Sequence, residues 1–245
     1  MPLRILLNGY KGRMGQAIIA AATAADVEIV ARLDAGDRPS EKVIADAEVV
    51  IDFSAPSATA ALAKLVAKHG KALVIGTTGH SPAERKAVLA AIKNIPVVWA
   101  GNYSIGVNLL NYLVQQAATT LGPSAPVEIV EMHHRHKKDA PSGTAEKLIE
   151  IVRAAQRLPA SAVVHGRQGL VGPRPEAQIG VHSLRGGDVV GDHTVIFAAE
   201  GERLELTHKA SNRSIFAVGA LRAAQWLAGR PAGLYGMADV LGLKA

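Results

Sequence analysis

Cysteine is absent from the 245 residues. Its absence excludes a disulfide framework, a thiolate nucleophile, a cysteine-bound zinc ion and an iron–sulfur cluster, and it fits a reducing compartment. Aromatic residues make up only 4% of the chain, which leaves few flat side chains on which nucleobases could stack. The formal net charge of +6 is therefore not read as a nucleic-acid footprint. No run of about 18 apolar residues occurs, and no basic, apolar and small-residue leader stands ahead of the first strand pattern. The expectation is a soluble cytoplasmic chain that meets neither nucleic acid nor membrane. Excess positive charge then points to small anions, and where the cations cluster decides the matter.

The length allows one large or two small domains. Over the first hundred residues, short apolar runs at 3–8, 27–33, 49–53, 72–75 and 97–99 alternate with helical patterns at 12–25, 57–69 and 82–93. Strands this apolar, separated by helices, predict a parallel sheet covered on both faces. A helix at 108–121 follows, and after Pro126 the grammar changes. A strand at 128–133 precedes a helix at 142–156, which Ser142 caps with Glu146 close behind. Residues 168–176, rich in Gly and Pro, read as a mobile loop. The runs 178–185, 188–200 and 203–210, joined by short glycine links, read as an antiparallel meander. A last helix at 214–228 is expected to return to the first domain. The fold class is thus α/β: a Rossmann-like dinucleotide-binding domain plus a mixed α/β domain.

Between the first strand and the first helix stands Gly9-Tyr10-Lys11-Gly12-Arg13-Met14-Gly15. Glycines there allow a tight turn and close backbone approach to a pyrophosphate, and the helix N-terminus attracts the anion. A plain glycine-rich turn is the competing reading. Asp34 ends the second strand about 20 residues on, where an acidic group accepts from ribose hydroxyls; a simple turn residue is its alternative. Lys11 and Arg13 are either solvated charges or partners for the 2′-phosphate of NADPH. Gly76-Thr77-Thr78-Gly79 and Gly101-Asn102-Tyr103-Ser104 follow later strands. They lie where ligands bind in open parallel sheets, although ordinary loop capping also accounts for them.

The densest chemistry is Glu131-Met132-His133-His134-Arg135-His136-Lys137-Lys138-Asp139-Ala140-Pro141-Ser142-Gly143-Thr144. A metal site is one reading, but no HxxxH or HExxH spacing is present. A solvated basic run is another. The third is a pocket for an anionic substrate: the helix opening at Ser142-Gly143-Thr144 offers N–H groups to a carboxylate, and histidine titrates near neutrality, as general acid work requires.

With these residues in view, the chain resembles the 4-hydroxy-tetrahydrodipicolinate reductase family, also called dihydrodipicolinate reductase. The likeness runs essentially end to end. It rests on residues 9–15, Asp52-Phe53, 76–79, 101–110, 131–144, 183–195 and 207–213, and the 131–144 string is its most specific part. The resemblance implies a dinucleotide-binding domain of residues 1–104 and 213–245, and a substrate-binding and tetramerisation domain of residues 105–212. It implies hydride transfer from NADH or NADPH to a small cyclic dicarboxylate, and a homotetramer. His133 would be the proton donor or acceptor, and Lys137 a second proton donor that steadies negative charge. His134, Gly143 and Thr144 would bind substrate carboxylates. Gly9, Tyr10, Lys11, Gly12, Arg13, Met14, Asp34, Gly76, Thr77, Thr78, Gly101, Asn102, Tyr103 and Ser104 would bind cofactor, and no metal is implied. Many members carry arginine directly after the acidic ribose binder, where this chain has Ala35, so a strong NADPH preference is not expected. Another two-domain dehydrogenase acting on an amino acid or semialdehyde is the alternative within enzymes. A dinucleotide-sensing regulator would need a further module for which the chain has no spare length.

Overall fold

The computed structural model describes residues 1–37 and 41–243; the last two residues of the segment 213–245 lie outside them. The chain divides into two compact units. One comprises Met1–Ile105 and the segment from Arg213 on, the other Gly106–Asn212.

The first unit is built on a six-stranded parallel sheet. Its strands in chain order are β1 (Leu3–Asn8), β2 (Val27–Leu33), β3 (Val49–Asp52), β4 (Ala72–Ile75), β5 (Pro96–Trp99) and β11 (Gly233–Tyr235), and across the sheet they run β11-β5-β4-β3-β1-β2. Alternate side chains of one strand go to opposite faces. Ile5, Leu7, Val49, Ile51, Val74 and Val98 therefore join one core with α1 (Arg13–Ala22) and α7 (Ser214–Leu227). Leu6, Val50, Leu73, Ile75 and Val97 join a second core with α3 (Pro56–Lys68) and α4 (Pro82–Ala91). This double burial is why the strands read as unbroken apolar runs. From β1 the chain steps outward to β2 and then returns to β3 on the other flank. The carboxyl ends of β1 and β3 hence flank the point where strand order reverses, which is where open parallel sheets bind ligands.

In the second unit, β6 (Val127–His133), β7 (Val163–His165), β8 (Ile179–Arg185), β9 (Gly191–Ala199) and β10 (Glu202–Ala210) form a sheet in the order β10-β9-β6-β8-β7. Helices α5 (Ile105–Leu121) and α6 (Gly143–Gln156) bring Val114 and Leu148 onto one face, against Ile129, Val181 and Phe197. The expected meander is corrected here. β8 is not hydrogen-bonded to β9; it pairs in parallel with β6 and β7, and only β9–β10 is a sequential hairpin. The link 186–190 crosses the end of β6, spanning two strand spacings, roughly 10 Å. It is held there by main-chain bonds from Gly186 to His133, from His134 to Val189 and from Arg135 to Gly187. Glycine links mark a reversal of direction but not which strand becomes the neighbour.

Short elements escaped the periodicity: α2 (Glu41–Ala45), β7, β11 and α8 (Met237–Leu241). Residues 168–176 contain no helix or strand. Arg174 ties that stretch to the sheet through the Glu128 carboxylate (3.0 Å) and the Gln178 carbonyl (2.5 Å). Three further groups meet at Glu128: both arms of Arg167 and the ring of His182. Burial pushes the Glu128 carboxyl up, but these partners outweigh it and bring the group to about 2.

In the first unit α7 lies so close to the turn after β5 that a Cβ on Gly219 would sit 1.8 Å from the Tyr103 carbonyl oxygen. Gly219→Ala therefore overpacks a backbone contact at a cost of about 1–3 kcal/mol. A chain of this size loses roughly 2–4 °C in Tm per kcal/mol. Calorimetry should show that loss, and an unchanged Tm would mean that α7 does not pack as described.

Candidate active site

In the first unit the three glycines of the β1–α1 turn each have a steric reason. Gly9 has φ +85°, and a Cβ on it would lie 2.2 Å from the Phe53 carbonyl oxygen. A Cβ on Gly15 would lie 2.3 Å from the Gly9 carbonyl oxygen, and one on Gly12 would come to 3.3 Å from the same atom. Gly12 is the N-cap of α1, with no side-chain cap and no acidic residue in the first turn, so the open N–H groups and positive helix end suit an anion. Lys11 and Arg13 are exposed at this turn and Met14 and Tyr10 are half-buried; the Lys11 ammonium lies 5.6 Å from the Tyr10 ring centre.

Asp34 accepts from the main-chain N–H groups of Lys11 and Ala35, both at 2.8 Å, and these bonds hold its carboxyl below the ordinary aspartate range. It lines a cavity of about 610 Å³ together with Gly9, Gly12 and Ala35, while Ala58, Leu62 and Leu65 supply an apolar side. A negative group beside a cradle that any Cβ would fill, opening on an apolar slot, fits a dinucleotide.

The other two turns use their side chains internally. Thr77 is 4% exposed, and its hydroxyl bonds the Asp52 carboxylate (3.1 Å) while accepting from the Ser54 N–H (3.0 Å). Asp52, fully buried, also accepts from Asn8 (2.8 Å), Ser54 (2.5 Å) and Thr59 (2.9 Å). One carboxylate thus ties the ends of β1, β3 and β4 together. Tyr103 is 2% exposed, and its phenol is shared between the carbonyls of Ile75 (2.8 Å) and Val98 (3.1 Å). Asn102 accepts from the Ser104 N–H at 2.8 Å. Thr78 and Gly101 are exposed, and a Cβ on Gly76 would strike the Phe53 ring at 2.2 Å.

In the second unit the core-facing side of β6 changes character along its length. Val127 and Ile129 are apolar; Glu131 and His133 follow on the same face and remain buried. Glu131 Oε2 lies 2.5 Å from His133 Nδ1. Arg185, cross-strand from His133, grips the same carboxylate with both arms at 2.9 and 2.8 Å. The Ser142 N–H reaches its Oε1 at 3.3 Å. Burial pushes the Glu131 carboxyl up, yet bonds from Arg185, His133 and Ser183 outweigh it and keep it below the ordinary glutamate range. For His133, burial lowers the imidazole, Lys137 and Arg185 add to that, and Glu131 opposes without reversing it. His193 stands 5.1 Å from His133 between ring centres, with Nε2 2.8 Å from the Ser142 hydroxyl. Burial first, then His133, brings His193 to about 4.

The Lys137 ammonium bonds Asp139 at 2.7 Å, and its main-chain N–H turns back to the His134 carbonyl at 3.1 Å. The ring of His134 is 6.2 Å from that of His136. Ser142 caps α6 by accepting from Ala145 (3.2 Å); Gly143 is exposed and Thr144 half-buried at the first turn. His133, His134, Lys137, Gly143 and Thr144 are thereby gathered around the end of β6 and the start of α6. Among the described residues no cluster of three metal-ligating side chains occurs. Glu131, Arg185, His193 and the side chain of Ser142 were not among the sequence-derived candidates. The Glu131–His133 spacing of two on a strand was a usable signal for the first of these; the others depend on strand order.

Two family models match the chain: the N-terminal part of dihydrodipicolinate reductase over residues 3–103 and the C-terminal part over residues 106–241. A 4-hydroxy-tetrahydrodipicolinate reductase of Akkermansia muciniphila is 54% identical over 243 residues, covering 99% of both chains. One of Pseudomonas fluorescens is 47% identical over 266 residues, covering 98% of this chain and 99% of the relative. The fold is that of a dipicolinate-bound dihydrodipicolinate reductase from Paenisporosarcina sp. TG-14, with a TM-score of 0.80 at 24% identity over 98% of this chain and 99% of that one. With both halves matched in order and near-complete relatives at about half identity, the chain belongs to the dihydrodipicolinate reductase family.

Proposed function

We propose that the chain reduces 4-hydroxy-tetrahydrodipicolinate to tetrahydrodipicolinate on the diaminopimelate–lysine route, with NADH or NADPH as reductant. The ring, one reduced nicotinamide and one proton are consumed; the reduced ring, the oxidised nicotinamide and one water are formed. The observation that carries this reading is that the family match spans both the glycine turns and the 131–144 run. Mixing the chain with reduced cofactor and freshly made substrate tests it: nicotinamide absorbance should fall in step with substrate, and constant absorbance would refute it.

When bound, the nicotinamide supplies a hydride. The chain's own groups do the rest. Open N–H groups at the start of α1 hold the pyrophosphate, and Asp34 accepts from ribose hydroxyls. Lys11 and Arg13 meet the 2′-phosphate when NADPH is used. The turns at Gly76–Thr78 and Gly101–Ser104 offer main-chain groups, since the Thr77 and Tyr103 side chains are turned inward. On the substrate side, the N–H groups at Gly143 and Thr144 and the ring of His134 take the ring carboxylates. Adding a hydride to a conjugated ring drives electron density to its far end; His133 donates the proton there and Lys137 steadies the charge. A cation 4 Å from a carboxylate gains about 1 kcal/mol in water and about 4 at an effective dielectric near 20, so shielding makes the basic run a firm anchor.

We also propose a homotetramer assembled through the outer face of the five-stranded sheet, working in the cytoplasm. The half-buried Met132 and the exposed Leu184, paired across β6 and β8 on that face, support such an interface. No helix of the described residues is long and apolar enough to cross a membrane.

Three outcomes are expected. His133→Ala and Lys137→Ala each lose at least about a hundredfold in kcat; wild-type turnover in either removes that residue from the chemistry. Asp34→Ala weakens NADH by roughly tenfold in Kd and NADPH by less, because the lost carboxylate also repelled a 2′-phosphate; equal losses in fluorescence titrations argue against ribose contact. Pyridine-2,6-dicarboxylate, the planar ring with both carboxylates in place, competes with substrate in steady-state assays, and indifference to it at millimolar levels contradicts a dicarboxylate pocket.

A further inference from the structure

We propose that Glu131 is a positioning residue: clamped by Arg185, it holds the proton of His133 on Nδ1 and leaves Nε2, beside the bare Cα of Gly191, as the nitrogen that exchanges protons with substrate. This rests on the reading of His133 as proton donor.

The tautomer follows from counting donors. An ionised carboxylate only accepts. Glu131 Oε1 takes one arm of Arg185 and the Ser142 N–H, and Oε2 takes the other arm. A guanidinium fork has no acceptor, so the carboxylate stays ionised to satisfy it. The Ser183 hydroxyl also bonds this carboxylate, and the last neighbour, His133 Nδ1 at 2.5 Å, must then be a donor as well. Arg185 is itself fixed, giving further N–H bonds to the carbonyls of Leu184 (2.6 Å) and Asp139 (2.8 Å). The clamp therefore has a defined position and does not swing with the ring.

The other nitrogen is presented by omission. β9 begins with Gly191 beside the imidazole, and a Cβ there would lie 2.9 Å from His133 Nε2. Any side chain would crowd the atom that must reach substrate. His193, next on the same strand face, bonds Ser142 instead and remains neutral near pH 7. The groups facing His133 are thus Glu131 on its own strand, Lys137 in the following turn, Arg185 on β8 and His193 on β9. Of these only Glu131 favours the imidazolium. It orients the ring and offsets part of the lowering that burial imposes on it.

A donor must be protonated, so kcat/KM falls as pH rises through the His133 pKa in the free enzyme. Glu131→Gln removes the one upward push, and this alkaline limb should move to lower pH by about one unit, with kcat down at least about tenfold. The Kd for NADH, read by fluorescence, should stay within about twofold, which a general loss of structure would not allow. Glu131→Asp keeps the charge on a shorter arm; its alkaline limb should match wild type although kcat falls. Gly191→Ala leaves the clamp intact and crowds Nε2, so kcat should drop with the pH profile unmoved. Where Glu131→Gln does not fold, the Asp and Gly191 variants carry the test. Wild-type kcat and an unshifted limb in Glu131→Gln, or wild-type kcat in both the Asp and Gly191 variants, would overturn the proposal while a disabled His133→Ala leaves the proton-donor reading standing. Full activity in His133→Ala would overturn the underlying reading instead.

Discussion

A carboxylate removed from water must be surrounded by donors or give up its charge. Glu131 is placed where the apolar row of β6 ends, fully out of solvent, and the elements around it are arranged to satisfy that demand. β8 lies beside β6, and not beside β9, so that Arg185 arrives opposite His133. The 186–190 link closes over the end of β6 with main-chain bonds. The N-terminus of α6 points a backbone N–H at the same carboxylate. One buried charge thus joins a strand order, a crossover link and a helix start, and the histidine it holds inherits its orientation from all three. Breaking such a pair from one side costs several kcal/mol, which ties the local chemistry to the stability of the unit.

The parallel sheet of the first unit solves a related problem by different means. Asp52 is as buried as Glu131 but meets neutral donors only, from Asn8, Ser54, Thr59 and Thr77. It cross-links the carboxyl ends of three neighbouring strands at the place where strand order reverses. The glycines then complete the surface by what they lack: side chains at Gly9, Gly15 or Gly76 would collide with backbone or with Phe53. Rigid strand ends beneath and bare main chain above are what close approach to a pyrophosphate requires.

Much of this was legible from residue order. The runs 3–8, 27–33 and 72–75 coincide with strands end for end; inside the sheet, β1 and β4 do so because strands buried on both faces leave an apolar signal, while the edge strand β2 is mostly half-buried. The 131–144 string, with its histidines, lysines and capping serine, announced dense chemistry. Other features had no local signature. β11 is three residues long and owes its existence to pairing with β5, and β7 depends likewise on β8. The placement of β8 beside β6 is a long-range choice that glycine links could not disclose. Arg185 lies 54 residues from Glu131, so its partnership exists only once the sheet is assembled. Thr77 and Tyr103 sit in turns marked as ligand-binding, yet their side chains are directed into the protein. Turn composition shows where backbone is available but not which way a side chain points.

The role of Glu131 depends on which nitrogen of His133 carries the proton. Long-range proton–nitrogen correlation NMR on the full chain, with the His133 signals assigned from His133→Ala, reads this directly. A pyrrole-type Nδ1 and a pyridine-type Nε2 at a pH above the imidazole's titration is the predicted result. A proton resting on Nε2, with Nδ1 bare toward Glu131, would contradict it.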